Sequence, residues 1–479
     1  MSSKKGILSG LVWSFGERIS AQLVSTVVSI VLARLLTPEH YGVVSIVMVF
    51  ITFCNVFVTS GFGNAVVQKK EVDTVDFSTA FWLSFSTAAV LYVLLFAASP
   101  FIAKFYGLLE LKWIIRVMGF RLLLASMNDI QRAYMRRNMQ FKKFFIATLG
   151  GTILSGFVGI MMAYNGFGAW SIVAQYLTNT FVDTAILCIV SGWNPKFQFS
   201  IKKAKEIFSF GGKVLAAQLV STTEGEIRAL IIGKAFGMAD LAFYDQGKKY
   251  PALLVNNVNS SLISVMLPVF SRSQDNLQSL KAMLRKTIST GMFLLVPLMF
   301  GLSAVSNTFV SVLMTDKWIP AVPYIKIFCF VFLLRPFEIA CNQAVLAIGK
   351  SDISFKVMLA VNLTALATLM IAVFGFNSVL LVAIGSLLSS LVSVICFLIV
   401  VNRHITYTAK DIFHDIWKPI VAGALMSVAV NLLGVLAINK VVLLISQIAI
   451  GGIVYIISSY LLKIEAMRYA IIKMEAVIK

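Results

Sequence analysis

Apolar runs, each long enough to cross a bilayer, recur from near one end of the chain to the other. A hydrocarbon core takes about 20 helical residues to span, and hydropathy read together with breakers gives fourteen such segments. They cover 10–34, 41–62, 78–99, 112–131, 144–164, 168–190, 207–232, 241–268, 287–308, 321–347, 357–374, 377–401, 419–437 and 441–462. The connections left over are too short to hold a folded domain. A soluble enzyme is excluded, since 59% of the 479 residues are hydrophobic and 13% charged, against about 25% charged in soluble proteins. The expected class is an all-α integral membrane protein.

The net charge of +20 does not signal a nucleic-acid partner, because the bases sit between the apolar runs. With the N-terminus placed inside, 26 of the 41 Lys and Arg fall in inside connections and tails and six in outside ones, Arg34, Lys104, Lys112, Lys234, Lys317 and Lys440. Cytoplasmic loops retain positive charge during insertion, so the split predicts an even number of spans and two cytoplasmic termini. The first span is too long for a cleaved signal and carries Glu17 and Arg18, so it is expected to remain. The five cysteines lie in apolar segments without disulfide or zinc spacing and read as small core residues.

An internal repeat sets the expected organisation. Ser14-Phe15-Gly16 and Ala21-Gln22-Leu23-Val24-Ser25-Thr26 return as Ser209-Phe210-Gly211 and Ala217-Gln218-Leu219-Val220-Ser221-Thr222. Weaker echoes pair Phe141-Lys142 with Phe355-Lys356 and Gly166-Phe167 with Gly375-Phe376. Six spans separate the copies, so both halves enter the membrane in the same sense, as parallel repeats about an axis along the membrane normal. The expected units are 1–195 and 196–405, each with six helices, and 406–479, with two more helices and a short tail.

Enzyme signatures are missing. Gly349-Lys350-Ser351 ends like a phosphate-binding loop, but the glycine required five positions earlier is Ala344. His40, His404 and His414 lie in or beside connections, which leaves no imidazole metal site within the spans. No resident cofactor is expected. Without an ATPase motif, uphill transport would draw on an H+ or Na+ gradient or on substrate flux.

Charges within the spans are the candidate site, because a charge at the bilayer centre costs at least about 2.5 kcal/mol and must meet a partner or water. Helical spacing pairs Glu224 with Arg228, Asp245 with Lys248 and Lys249, and Arg335 with Glu338. Arg116, Arg121, Lys213 and Lys326 have no acid three or four positions away, and Arg18 has only its neighbour Glu17. These cations, with Arg335, are candidates to line a cavity; the alternative for Arg18, Arg116 and Lys326 is that they reach the interface. Arg121 lies near the middle of its span, about 14 Å from either end at 1.5 Å per residue, so it must meet water, substrate, or an acid such as Asp183. Glu226 lacks a base at helical spacing and is the first candidate for ion coupling, with Glu224, Asp183 and Glu17 behind it. Proline placement suggests a lobe asymmetry: Pro38, Pro100 and Pro195 in loops of the first half, but Pro251, Pro297, Pro323 and Pro336 inside helices of the second.

The segment Leu32-Ala33-Arg34-Leu35-Leu36-Thr37-Pro38-Glu39-His40-Tyr41-Gly42, with Trp13 and Glu17-Arg18 before it and the basic stretch from Arg132 to Lys143 after it, closely resembles the polysaccharide transporter family of the multidrug/oligosaccharidyl-lipid/polysaccharide flippase superfamily. Its likeness to the O-antigen and colanic-acid exporter branch runs through essentially the whole chain. The resemblance implies two six-helix bundles in a V-shaped arrangement, alternating access, and export of a lipid-linked oligosaccharide across the bacterial cytoplasmic membrane. It also implies bilayer lipids and other polysaccharide assembly proteins as partners. On an undecaprenyl-diphosphate sugar, the anionic head would be offset by cations in a wet cavity, where arginine grips phosphate with a planar fork. An exporter of small amphipathic cations and a membrane polymerase or ligase are the alternatives.

Overall fold

A computed structural model describes residues 2–59, 61–69, 71–271, 276–436 and 438–468. Among them every regular element is helical. The α-helices are α1 (Ser2–Leu35), α2 (Pro38–Thr59), α3 (Phe62–Gln68), α4 (Thr74–Tyr106), α5 (Leu109–Arg137), α6 (Phe141–Tyr164), α7 (Ala169–Ser191), α8 (Ile201–Ala235), α9 (Met238–Ser271), α10 (Leu277–Leu313), α11 (Val322–Leu333), α12 (Arg335–Ala347), α13 (Ser351–Met370), α14 (Val379–Ile405), α15 (Ala409–Leu433) and α16 (Lys440–Leu461). Ten helical stretches among the described residues are long and apolar enough to cross a membrane. The chain divides into two compact units, Met1–Ala242 and Phe243–Lys479.

Within the first unit α6 packs on α1 and α7, α5 on α4 and α7, and α8 on α2, α3 and α4. In the second, α10 contacts α11, α15 and α16, and α13 pairs with α14.

Local chemistry sets the helix ends. Asp73 caps α4 by accepting from the Asp76 N–H while Asp76 accepts from the Asp73 N–H, and Thr408 and Asp411 do the same for α15; each reciprocal pair satisfies two otherwise orphaned donors. Gly349, at φ +77, ends the α12 turn with its N–H on Leu346 O and that of Lys350 on Val345 O. The Gly349-Lys350-Ser351 segment is therefore a helix-terminating turn of the kind glycine favours.

Prolines depart from expectation in both units. Pro100 lies inside α4, which continues to Tyr106, and is not in a loop. Proline cannot donate to the carbonyl four residues back, and here that carbonyl, Phe96 O, accepts from the Ser99 hydroxyl at 2.8 Å. Pro297 is handled similarly in α10: the Tyr455 hydroxyl of α16 donates to Phe293 O at 2.8 Å. Pro323 and Pro336 are at the first turns of α11 and α12, where a missing N–H costs nothing. The expected single helix over 321–347 is accordingly interrupted at Leu334.

Candidate functional site

Helix α5 brings Arg121, Asn128 and Arg132 onto one face, with the small Ala125 between them, because positions 121, 125, 128 and 132 recur at steps of three and four. Its end at Arg137 is six residues beyond the expected span, so Arg132, expected in a connection, is helical. Arg132 Nη2 bonds Asp183 Oδ2 of α7 at 2.7 Å, and Asn128 Nδ2 donates to the same oxygen at 2.6 Å. Asp183 is only 7% exposed. The acid offered as a partner for Arg121 is therefore occupied by Arg132 instead. Gly151 permits the approach of α6, since a Cβ there would meet Asn179 O at 3.0 Å and Asp183 Cβ at 3.3 Å.

From this pair a hydrogen-bonded strip runs both ways. Toward α1, Arg132 Nη2 reaches Thr148 Oγ1 at 3.4 Å, and the Thr148 hydroxyl donates to Glu17 Oε1 at 2.9 Å. In the other direction Asn128 donates to Thr184 Oγ1 at 3.3 Å, and Thr184 donates to Thr180 O at 2.7 Å. Arg121 closes the strip: its Nε donates to Thr180 Oγ1 at 2.9 Å. Its remaining neighbours are soft ones, Met48 Sδ at 3.7 Å from Nη1 and the Tyr176 ring, whose centroid is 5.3 Å from the guanidinium carbon. Among the described residues no carboxylate ion-pairs with Arg121. A guanidinium has five N–H donors, and these neighbours use few of them at full strength.

Of the other predicted cations, the described Arg116, Lys326 and Arg335 make no hydrogen bond to this strip. Arg116, on a different face of α5, donates through Nε to Ser99 Oγ at 2.9 Å and lies 4.0 Å from the Phe96 ring centroid and 5.1 Å from that of Trp113. It thus supports the hydroxyl that covers the carbonyl freed by Pro100. In the second unit Lys326 is exposed on α11, while Arg335, also exposed, pairs with the buried Glu338 at 3.3 Å as its spacing predicts. Asp245 and Lys249, one turn apart on α9, interact electrostatically. Glu226 is half-buried on α8 and has an interaction of its own. The side chains of Arg18, Lys213 and Glu224 lie outside the described residues.

Sequence reasoning missed Asn128, Arg132, Thr148, Thr180 and Thr184. The available signal was Asp183 itself: an acid in an apolar helix demands a base, and Arg132 continues the stripe that begins at Arg121. Asp129 and Arg137 of α5 bracket the short α3. Gly63 leaves room for Asp129, whose Oδ2 would be 2.6 Å from a Cβ at that position. Arg137 Nη1 donates to Val67 O at 3.2 Å and Lys69 O at 2.6 Å, a cation on the negative end of a helix dipole.

Beside α3 an ionic cluster joins α4 to α8. Lys69 bonds Asp76 at 2.9 Å and Glu206 at 3.1 Å, and Lys203 bonds Asp73 at 2.6 Å. The Lys203 ammonium, with the Asp76 N–H, holds the Asp73 carboxyl down to about 2. Among the described residues no cluster of His, Cys, Asp and Glu could hold a metal ion.

A family model described as polysaccharide biosynthesis protein matches residues 31–323. The teichuronic acid biosynthesis protein TuaB of Bacillus subtilis is 26% identical over 440 residues, 89% of each chain. The succinoglycan biosynthesis transport protein ExoT of Rhizobium meliloti is 24% identical, covering 89% of this chain and 87% of that one. The lipopolysaccharide biosynthesis protein WzxC of Escherichia coli is 22% identical, over 74% and 73%. Among solved structures, the lipid II flippase MurJ in an inward closed conformation superposes with a TM-score of 0.76 at 15% identity, covering 95% of this chain and 98% of that one. An inward-facing multidrug resistance MATE family transporter of the MOP superfamily gives 0.61 at 14% identity, over 81% and 96%. The fold is the one these transporters share.

Proposed function

Because this chain belongs to the polysaccharide biosynthesis protein family, we propose that it is a transporter, not an enzyme, and that it moves a lipid-linked oligosaccharide across the bacterial cytoplasmic membrane. The reading rests on a multi-pass membrane chain whose relatives are named for polysaccharide assembly and transport and whose fold is that of flippases and exporters. In the full proposal fourteen helices cross the membrane, six in each of two parallel repeats and two more at the end, with both termini in the cytoplasm.

The observation that carries the chemistry is Arg121, a half-buried guanidinium in an apolar bundle that spends itself on a hydroxyl, a thioether and a ring. A diphosphate supplies what those neighbours lack, two adjacent anionic groups with oxygens spaced for a planar fork. The sugar would follow the head through the wet interior while the polyprenyl tail stays in lipid. Arg18, Lys213, Lys326 and Arg335 are secondary cations for the same path, and Glu226 is the first carboxylate for coupling to an H+ or Na+ gradient.

Purified protein in proteoliposomes, offered an undecaprenyl-diphosphate oligosaccharide or a small amphipathic cation in separate assays, distinguishes this reading from its main alternative. Translocation of the lipid-linked sugar alone is the expected result. Movement of the amphipathic cation alone would transfer the chain to drug-type export, and new glycosidic bonds would make it an enzyme.

A further inference from the structure

The connection from α7 to α8, residues 192–200, is laid against the start of α4 by three hydrogen bonds. The Trp82 indole N–H donates to Lys196 O at 2.9 Å, the Lys196 N–H to Ser78 Oγ at 3.2 Å, and the Ser200 N–H to Thr79 Oγ1 at 3.2 Å. Ser78 and Thr79 are fully buried. The Ser200 hydroxyl then caps α8 by accepting from the Lys203 N–H.

This pinned segment presents apolar side chains outward. Phe197 is 94% exposed although its ring stacks on that of Trp82, 5.0 Å between centroids, and Phe199 and Ile201 are each more than half exposed. Lys196, Lys202 and Lys205 are exposed beside them. Among the described residues none of these three ammonium groups has a hydrogen bond or an ion pair. The exposed acids of the neighbouring cluster, Asp73 and Glu206, are engaged by Lys203 and Lys69 instead. Insertion bias accounts for lysines on this side of the membrane. It does not account for three unpaired lysines sharing a surface with three exposed apolar side chains.

Depth identifies the occupant. Both α4 and α7 are long and apolar enough to cross a membrane. The connection leaves the end of α7 and rests on residues 78 and 79, where the expected span in α4 begins, which puts it at the level of lipid headgroups. An acidic protein would satisfy the lysines and leave the rings in water, whereas a bilayer takes both halves of an amphipathic surface. A zwitterionic headgroup brings an ammonium that the lysines repel; an anionic one brings only the charge they attract.

We propose that this surface binds anionic phospholipid. The headgroup phosphate lies among Lys196, Lys202 and Lys205, while Phe197, Phe199 and Ile201 enter the acyl boundary beside it, so that the start of α8 is tethered to the bilayer. The site does not involve Arg121 and stands whether or not the chain flips oligosaccharides.

The test is native mass spectrometry of delipidated, full-length protein with added phosphatidylglycerol or phosphatidylcholine of the same acyl chains. The wild type should retain phosphatidylglycerol better. Changing Lys196→Gln, Lys202→Gln and Lys205→Gln together should cost about tenfold in affinity for phosphatidylglycerol, with phosphatidylcholine little affected and the melting temperature in detergent unchanged. A charge-matched control, Lys356→Gln with Arg403→Gln and Lys410→Gln, removes three exposed bases from connections expected on the same side and should cost far less. Phe197→Ala with Phe199→Ala should weaken both lipids, because the apolar half is common to them. Equal retention of the two lipids by the wild type would overturn the assignment, as would equal losses in the two triple variants. Wild-type binding of phosphatidylglycerol by the lysine variant or by the phenylalanine variant would overturn it as well.

Discussion

Arg132 and Arg121 occupy the same face of one helix, eleven residues apart, and they end in opposite circumstances. Arg132 meets a buried carboxylate at 2.7 Å that also accepts from Asn128. Arg121 meets a threonine hydroxyl, a methionine sulfur and a tyrosine ring. A buried ion pair adds little net stability, but removing one partner leaves an uncompensated charge. The half-buried Arg121, without a carboxylate, lacks that structural explanation, and this is the ground for proposing a ligand for it. The difference separates a cation paired with a buried carboxylate from one that we propose to bind an anionic ligand.

The largest effect expected from breaking this comparison is at Arg132. Arg132→Ala strands Asp183, and a cost of about 3–5 kcal/mol should lower both membrane abundance and melting temperature. Arg132→Gln with Asp183→Asn, which removes both charges, should restore most of both. If Arg132→Ala is as abundant and heat-stable as the wild type, the pair is not structural.

A smaller loss is expected at Arg116, the third arginine of α5. Its Ser99 hydrogen bond and its place over Phe96 are together worth about 1–3 kcal/mol, so Arg116→Ala should melt somewhat earlier yet support export at a rate close to the wild type. Export lost in proportion to that of Arg121→Ala would place Arg116 on the substrate path instead.

The smallest effect belongs to the exposed counterpart of the Arg132 pair. Asp73, bonded to Lys203, is held below the ordinary carboxylate range, so its contribution is present above about pH 4 and is lost as the pH falls through about 2. With Asp73 57% exposed, solvent screening keeps that contribution under about 1 kcal/mol. Asp73→Asn should flatten only this acid step in a melting curve; an unchanged curve would mean the bond is not populated.

Much of this was legible in the sequence, because hydropathy and charge bias report the dominant cost of burying a chain in lipid. Every expected span overlaps helix among the described residues, although ten stretches there are long and apolar enough to cross a membrane and the one over 321–347 is broken at Leu334; Arg335 pairs with Glu338 as i, i+3 spacing requires. What failed was set by contacts between helices. Hydropathy ended the fourth span at 131 because Arg132 is charged, whereas Asp183, 51 positions away, draws that charge into the bundle. Pro100 read as a loop residue for want of knowing that the Ser99 hydroxyl covers the carbonyl it frees. Thr180 and Thr184 of the strip carry no hydropathy signal at all, since each already bonds a carbonyl of its own helix and costs little in an apolar setting.

The central claim is that Arg121 binds the anionic head of the cargo. Translocation of an undecaprenyl-diphosphate oligosaccharide should be measured in proteoliposomes holding equal amounts of wild type, Arg121→Lys and Arg121→Ala. The account predicts loss of flux in Arg121→Ala and partial recovery in Arg121→Lys, whose ammonium keeps the charge but cannot make the two-pronged contact. Wild-type flux in Arg121→Ala would contradict it and move the phosphate site elsewhere.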